Sequence, residues 1–146
     1  MPPIKKARRS GSATDHPTVV GFTIVDGGDL PDVGAPTKFV AAPNDIVLWV
    51  VGNTSGYTIT VTLTDFLRKK HPADPKGTIQ PETPPFIWLV SDTVVVDDGK
   101  VGFIAGRRNP DYQTQSFLFH DFLSYTIHVQ STAFDFEYDP DGDIKP

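Results

Sequence analysis

At 146 residues the chain is about one domain's worth, and its 14 prolines and 12 glycines imply frequent turns; with no cysteine, disulfides, thiolate metal sites and cysteine nucleophiles are excluded. Charge is uneven: residues 1–16 carry Lys5, Lys6, Arg8 and Arg9 against Asp15, a net of +3 in a chain of −5, so a basic arm precedes an acidic body of about −8. No apolar stretch approaches the ~20 residues of a membrane helix. The opening residues are cationic but have no apolar core of a signal peptide, so the expectation is a cytoplasmic protein without membrane contact.

In chain order, residues 1–18 are polar, Pro/Ser/Gly-bearing and aperiodic, which predicts a disordered basic arm ahead of a β-domain over 19–146. "VVGFTIV" (19–25) is β-branched and ends in the turn-rich "DGGDLPD". "TKFVAA" (37–42) is short and stops at Pro43. "DIVLWVV" (45–51) is apolar on both faces, as a centrally placed strand would be. In "YTITVTL" (57–63), Tyr57, Ile59, Val61 and Leu63 share one face and the threonines line the other. The intervening "GNTSG" tolerates positive φ, which predicts a hairpin between these two strands.

Residues 65–85, "DFLRKKHPADPKGTIQPETPP", hold five prolines and mixed charge. They predict a long loop, with one helical turn at most before His71-Pro72, and loops of this length usually carry function. "FIWLV" (86–90) and "TVVVDDGKVGFIAG" (93–106) resume the β pattern, with Asp98-Gly99 as a second hairpin turn. Arg107 and Arg108 read as a solvated loop pair, and Trp88 as a core residue. "SFLFHDFL" (116–123) leads into "SYTIHVQS" (124–131), where Tyr125, Ile127 and Val129 face one way and His128 the other. "AFDFEY" (133–138) turns Phe134, Phe136 and Tyr138 inward. Seven to nine short strands predict an all-β antiparallel Greek-key-type sandwich, cupredoxin- or immunoglobulin-like.

Two stretches carry a resemblance. "APNDIVLWVVGNTSGYTITVTL" (42–63), with Pro43, Asp45, Val47, Trp49 and Asn53, is similar to the early hairpin of cupredoxin-like domains. "SYTIHVQSTAFDFEYDPDGDIKP" (124–146) resembles the last hairpin of bacterial members. Together they cover about half the chain and imply a cupredoxin-like β-sandwich. The family's copper chemistry does not follow. A blue-copper site needs two His, a Cys thiolate and a weak axial ligand. This chain has no Cys, and Tyr57 stands near the place of the first His ligand. No cofactor is implied.

Catalytic signatures are missing. There is no G-x-S-x-G elbow and no glycine-rich phosphate loop ahead of a helix, so the chain does not read as an enzyme. The weak metal candidates are His120 and His128, with Asp121 nearby, for a transition metal. For calcium they are Asp139, Asp141 and Asp143 in the closing "EYDPDGDIKP", where Ile144 occupies the place of an EF-hand's glycine. That ending reads better as an acidic strand end, broken at Asp139-Pro140 because proline donates no N–H.

Candidate interaction residues are Lys5, Lys6, Arg8 and Arg9 of the arm, and Lys69, Lys70 and His71 of the long loop. The reading is therefore a non-enzymatic binding or self-assembly module acting through sheet edges and end loops, with a protein partner or a second copy. The alternative is a virion or coat-type protein whose arm contacts nucleic acid; a third is a metal- or carbohydrate-binding module.

Overall fold

The computed structural model describes residues 18–26, 38–116 and 118–146, and within them ten strands and no helix form two facing sheets. The strands are β1 (Thr18–Ile24), β2 (Phe39–Ala41), β3 (Ile46–Asn53), β4 (Ile59–Arg68) and β5 (Phe86–Trp88) in the first half of the chain. In the second half they are β6 (Thr93–Val96), β7 (Val101–Arg108), β8 (Asp121–Gln130), β9 (Asp135–Tyr138) and β10 (Asp141–Ile144). Sheet A runs β1-β3-β7-β5. Sheet B runs β2-β10-β8-β4-β6, with β9 paired to the later half of β8. The all-β sandwich expected from the sequence is the fold. The expected arm falls almost wholly outside the described residues, and Thr18 already belongs to β1.

Period-2 alternation decides what points inward. Val20, Phe22 and Ile24 of β1 are buried, as are Val47, Trp49 and Val51 of β3, Ile59, Val61 and Leu63 of β4, and Leu123, Tyr125, Ile127 and Val129 of β8. Trp49 lies at the centre, with the rings of Phe39, Phe66, Phe86, Trp88 and Tyr125 all within 6.4 Å of its own, centroid to centroid. Its indole N–H donates to the Tyr125 hydroxyl at 3.2 Å, which supplies the partner a buried indole requires. Trp88, expected in the core, is half-buried and packs against it.

Several local expectations are corrected. β3 and β4 are not a hairpin: β3 pairs with β1 and β7 in sheet A, and β4 with β6 and β8 in sheet B. Nor do β6 and β7 pair, although Asp98-Gly99 does turn, with Gly99 at φ 77. Both "hairpin" turns are corners that carry the chain from one sheet to the other, and they are stitched together. The Asn53 amide donates to Lys100 O at 3.0 Å, Gly99 N to Asn53 O at 2.7 Å, and Gly56 N to the Asp98 carboxylate at 2.9 Å. Alternation reports which face of a strand is buried; it does not report which sheet the strand joins.

The segment expected to leave the β pattern at Asp65 instead continues β4 to Arg68. The register against β8 slips by one residue between Thr64 and Leu67, with Asp65 at φ 54. This bulge puts Asp65 in solvent and swings Phe66 inward to stack on Tyr125 at 5.1 Å; unbroken alternation would do the reverse. The chain also pairs again after its expected end. Asp139-Pro140 does interrupt the ladder, but β10 resumes beyond it and lies between β8 and β2, with Ile144 fully buried. The strand count therefore exceeds the expected seven to nine.

Candidate functional site

The same alternation, followed to the strand ends, brings charged groups inward at one end of the sandwich. Arg108 continues the buried phase of Gly102, Ile104 and Gly106 on β7. Asp121 precedes Leu123 and Tyr125 in the buried phase of β8, and the bulge in β4 turns Arg68 the same way. The loop after β7 lays Tyr112 between them. Arg68 Nε donates to Asp121 Oδ2 at 3.2 Å, Arg68 Nη2 to the Tyr112 hydroxyl at 3.1 Å, and that hydroxyl to Asp121 Oδ2 at 2.7 Å. The Gln115 amide donates to Asp121 Oδ1 at 3.0 Å. Both guanidinium carbons lie 5.7 Å from the centre of the Tyr112 ring, within cation–π range.

Burial and the Asp121 carboxylate push the Tyr112 hydroxyl up to about 12, so it stays protonated as a donor. Burial works against the charge on Arg68, but Tyr112 and Asp121 outweigh it and raise its pKa. On Arg108 burial prevails, and the pKa is lowered despite Tyr112, Asp121 and Asp45. Arg108 is 4% exposed; its Nη2 donates to Lys145 O at 2.8 Å, while its Nε has no hydrogen-bond partner among the described residues.

Two cavities flank this cluster and share the wall from Tyr112 to Gln115. One, of about 620 Å³, lies over Arg68, Gln80, Glu82 and Asp111; the other, of about 640 Å³, lies over Pro43, Arg108, Pro110 and Pro146. The tyrosine is protonated and the carboxylate is saturated by three donors, so neither is poised as a base or nucleophile. What the arrangement provides is a rigid, polar end with two cationic side chains beneath the loops.

The residues singled out from sequence do not converge. Lys5, Lys6, Arg8 and Arg9 lie outside the described residues. Lys69, expected at a recognition loop, is buried, and its Nζ meets Asp141 at 2.7 Å; Lys70 and His71 are exposed. Asp139 accepts from the Thr126 hydroxyl at 2.8 Å and faces Lys76 at 3.6 Å, whereas Asp143 faces Lys38 at 3.6 Å and His120 at 3.5 Å. The three carboxylates thus engage separate partners. His128 bonds Asp135, away from His120 and from Asp121, and the His128 contact holds the Asp135 carboxyl below its usual pKa. Among the described residues no three His, Asp or Glu are grouped to hold a metal. Arg107 and Arg108 are not a solvated loop pair: they close β7, the first exposed and the second buried.

Arg108 and Asp121 were findable, because a polar residue in the buried phase of an apolar strand must meet a partner. Arg68 was hidden by the bulge.

Two surfaces stand out besides the cluster. The outward side of sheet A is apolar, with Val19 and Phe103 each 58% exposed. Among the described residues no strand covers the outer edge of β5. Pro85 O accepts from Asn109, and Leu89 donates to Ala105, so the odd-numbered residues bond inward to β7. The backbone groups of Phe86, Trp88 and Val90 therefore point to the free side, where no described strand pairs with them.

No protein-family model matches the chain, and no curated protein matches it significantly. Solved structures do. A chain of the CsuC–CsuE chaperone–tip adhesion subunit complex of Acinetobacter baumannii Csu pili aligns with a TM-score of 0.54 at 10% identity, over 74% of this chain and 48% of that one. The Pseudomonas aeruginosa chaperone CupB2 aligns at 0.53 and 14% identity, over 75% and 53%. The Escherichia coli chaperone DraB aligns at 0.51 and 10% identity, over 90% and 58%. The fold is immunoglobulin-like. This corrects the cupredoxin expectation: the matches are chaperone-type immunoglobulin-like domains, and no cupredoxin is among them. A Trp-bearing apolar strand, an Asn and a second alternating strand are common to β-sandwiches and do not separate the two. The chain spans about half the length of the structures it matches.

Proposed function

We propose that this chain is a non-enzymatic protein-binding module that engages another polypeptide through sheet edges and through the loops above Arg68 and Arg108. The observation that carries the reading is the open edge of β5. No described residue pairs with its outward backbone groups, and it runs into Leu89 and into Val90, which is 98% exposed. An exposed apolar edge is a template for an added strand, and Pro84-Pro85 confine this one to the stretch from Phe86 to Val90. The saturated state of Asp121 and Tyr112 favours recognition over catalysis. The structures with the same fold are themselves described as chaperones, one of them together with an adhesion subunit. The nucleic-acid alternative rests on Lys5, Lys6, Arg8 and Arg9, which lie outside the described residues.

The test is a photo-crosslinking residue at Val90, at Gln113 in the loop, or at Thr62 on the far sheet, irradiated in the native extract and read by mass spectrometry. Protein adducts at Val90 or Gln113 but not at Thr62 are expected. Adducts at none of the three, or equally at all, overturn the reading.

A further inference from the structure

The two outer faces of the sandwich differ in chemistry. On sheet B the outward positions are threonines on β4 (Thr60, Thr62 and Thr64), then Ser124, Thr126 and His128 on β8, then the carboxylates of β9 and β10, with Val95 on the edge strand β6 and Phe122 on β8 as isolated apolar exceptions. This is the polar exterior that a sandwich in water requires. On sheet A the register sets Val19, Leu48, Ala105 and Leu89 in one row across the four strands, and Gly21, Val50 and Phe103 in the next. Val101 closes one end of the face, and Ile46 and Ile87 flank Arg107 at the other. Arg107 is the one charged side chain among the described residues of this face.

We propose that the outer face of sheet A seats a second copy of this chain, packed sheet to sheet about a two-fold axis that lies in the interface and runs across the strands. The proposal goes beyond the protein-binding reading above and concerns a different surface. Two observations select a copy of the same chain. The first is area. The strands β1, β3, β7 and β5 are seven, eight, eight and three residues long; at about 3.3 Å per residue and about 4.8 Å between strands they give a flat footprint of roughly 400 Å². A pair therefore covers roughly 800 Å² as a flat projection, and the relief of protruding side chains such as Val19, Val101 and Phe103 brings it to the ~1,000 Å² at which specific interfaces begin. A self-complementary apolar face also buries no unpaired charge at its centre.

The second is the placement of charge. Arg107 sits at one end of the strands, and at the other lies the Asp97-Asp98 corner, whose carboxylates accept from Thr58 and Gly56 and whose charge is offset only by Lys100. The proposed axis lays the strands of the two copies antiparallel, so each Arg107 comes over the partner's acidic turn at the rim, where opposite charges set orientation. An axis along the strands would bring the arginines together.

The test is sedimentation equilibrium of the full chain. A dimer in the micromolar range is expected. Phe103→Lys, at an exposed position and so leaving the urea midpoint unchanged, should weaken it by about 100-fold. Arg107→Glu should weaken it by about 10-fold, less in high salt. Val90→Lys, on the β5 edge, should leave it unchanged. A wild-type chain that stays monomeric at millimolar concentration overturns the proposal, as does a dimer that Phe103→Lys does not move. Neither result touches the binding reading, which stands or falls on the adducts at Val90 and Gln113.

Discussion

Replacing Asp121 by Asn probes what holds the open end of the sandwich. The substitution keeps the shape and retains an acceptor for the Gln115 amide at 3.0 Å. It removes the charge and sets an NH₂ group against Arg68 Nε, 3.2 Å away, and against the Tyr112 hydroxyl at 2.7 Å. The hydroxyl can rotate and accept; the guanidinium has no lone pair to offer. Arg68, with its side chain 14% exposed, is then left with a tyrosine for company and with the buried Arg108 as a second cation over the same ring. One lost hydrogen bond to a charged group costs about 1.5–3 kcal/mol. Removing one member of a fully buried pair costs about 3–5 kcal/mol. Because Arg68 keeps partial access to water, the loss should fall where the ranges meet, about 3 kcal/mol. Urea denaturation followed by tryptophan fluorescence measures it directly. Arg68→Met in the Asp121→Asn background should recover part of the loss, with a coupling energy of about 1–3 kcal/mol from the double-mutant cycle. A single substitution within about 0.5 kcal/mol of wild type, or an additive cycle, would refute the claim that this contact braces the end.

The same cluster sets an alkaline limit. The folded pKa of Tyr112 is raised from 10 to about 12 by burial and the Asp121 carboxylate, so the stability linked to it is complete below pH 10 and is lost as pH rises toward 12. Tyr112→Phe should flatten part of the fall in urea midpoint across that window, leaving the part due to Tyr125, whose pKa burial also raises. Gly142→Ala should destabilise by more than about 3 kcal/mol. The added Cβ would stand 2.1 Å from Phe39 Cε2, and that ring is hemmed in by Phe86 at 5.1 Å, Tyr125 at 5.4 Å and Trp49 at 5.9 Å. Its near-ultraviolet circular dichroism should weaken along with its urea midpoint. Asn53→Ala should cost about 3 kcal/mol in urea denaturation. The buried amide donates to Tyr57 O at 2.6 Å and Val96 O at 2.9 Å, and accepts from the Ser55 amide and hydroxyl, so its loss unties both corners.

Alternation made the class of fold and most of the core legible. Ile59, Val61 and Leu63, or Tyr125, Ile127 and Val129, need no structure to be placed inward. Pairing was not legible. "GNTSG" and "DDGK" have the composition of hairpin turns, and only the bonds around Asn53 show that each crosses between sheets. The bulge at Asp65 was equally silent, since one extra residue reverses every side chain after it and leaves no mark in composition. In the sequence Lys69 and Lys76 belong to a candidate recognition loop, and Asp139 and Asp141 to an acidic strand end. The fold spends them on each other, because β10 returns beside the long loop. The polar cluster was half legible: Arg108 and Asp121 break the apolar phase in plain view, whereas Arg68 and Tyr112 reach it only through a bulge and a loop.

The place of β10 also governs when this chain can fold. It fills the gap between β8 and β2, pairing Gly142 with Phe39 and Ile144 with Ala41. During synthesis every other strand leaves the ribosome before it. Until Asp141–Ile144 emerges, β2 has no neighbour in its sheet among the described strands, and the Phe39 ring has no Gly142 backbone to close over. Commitment to the native state is therefore delayed to the last few codons of the described domain. Contacts so distant in sequence make such closure slow, on the order of milliseconds to seconds. Over that interval the nascent chain must keep its aromatic centre from competing partners.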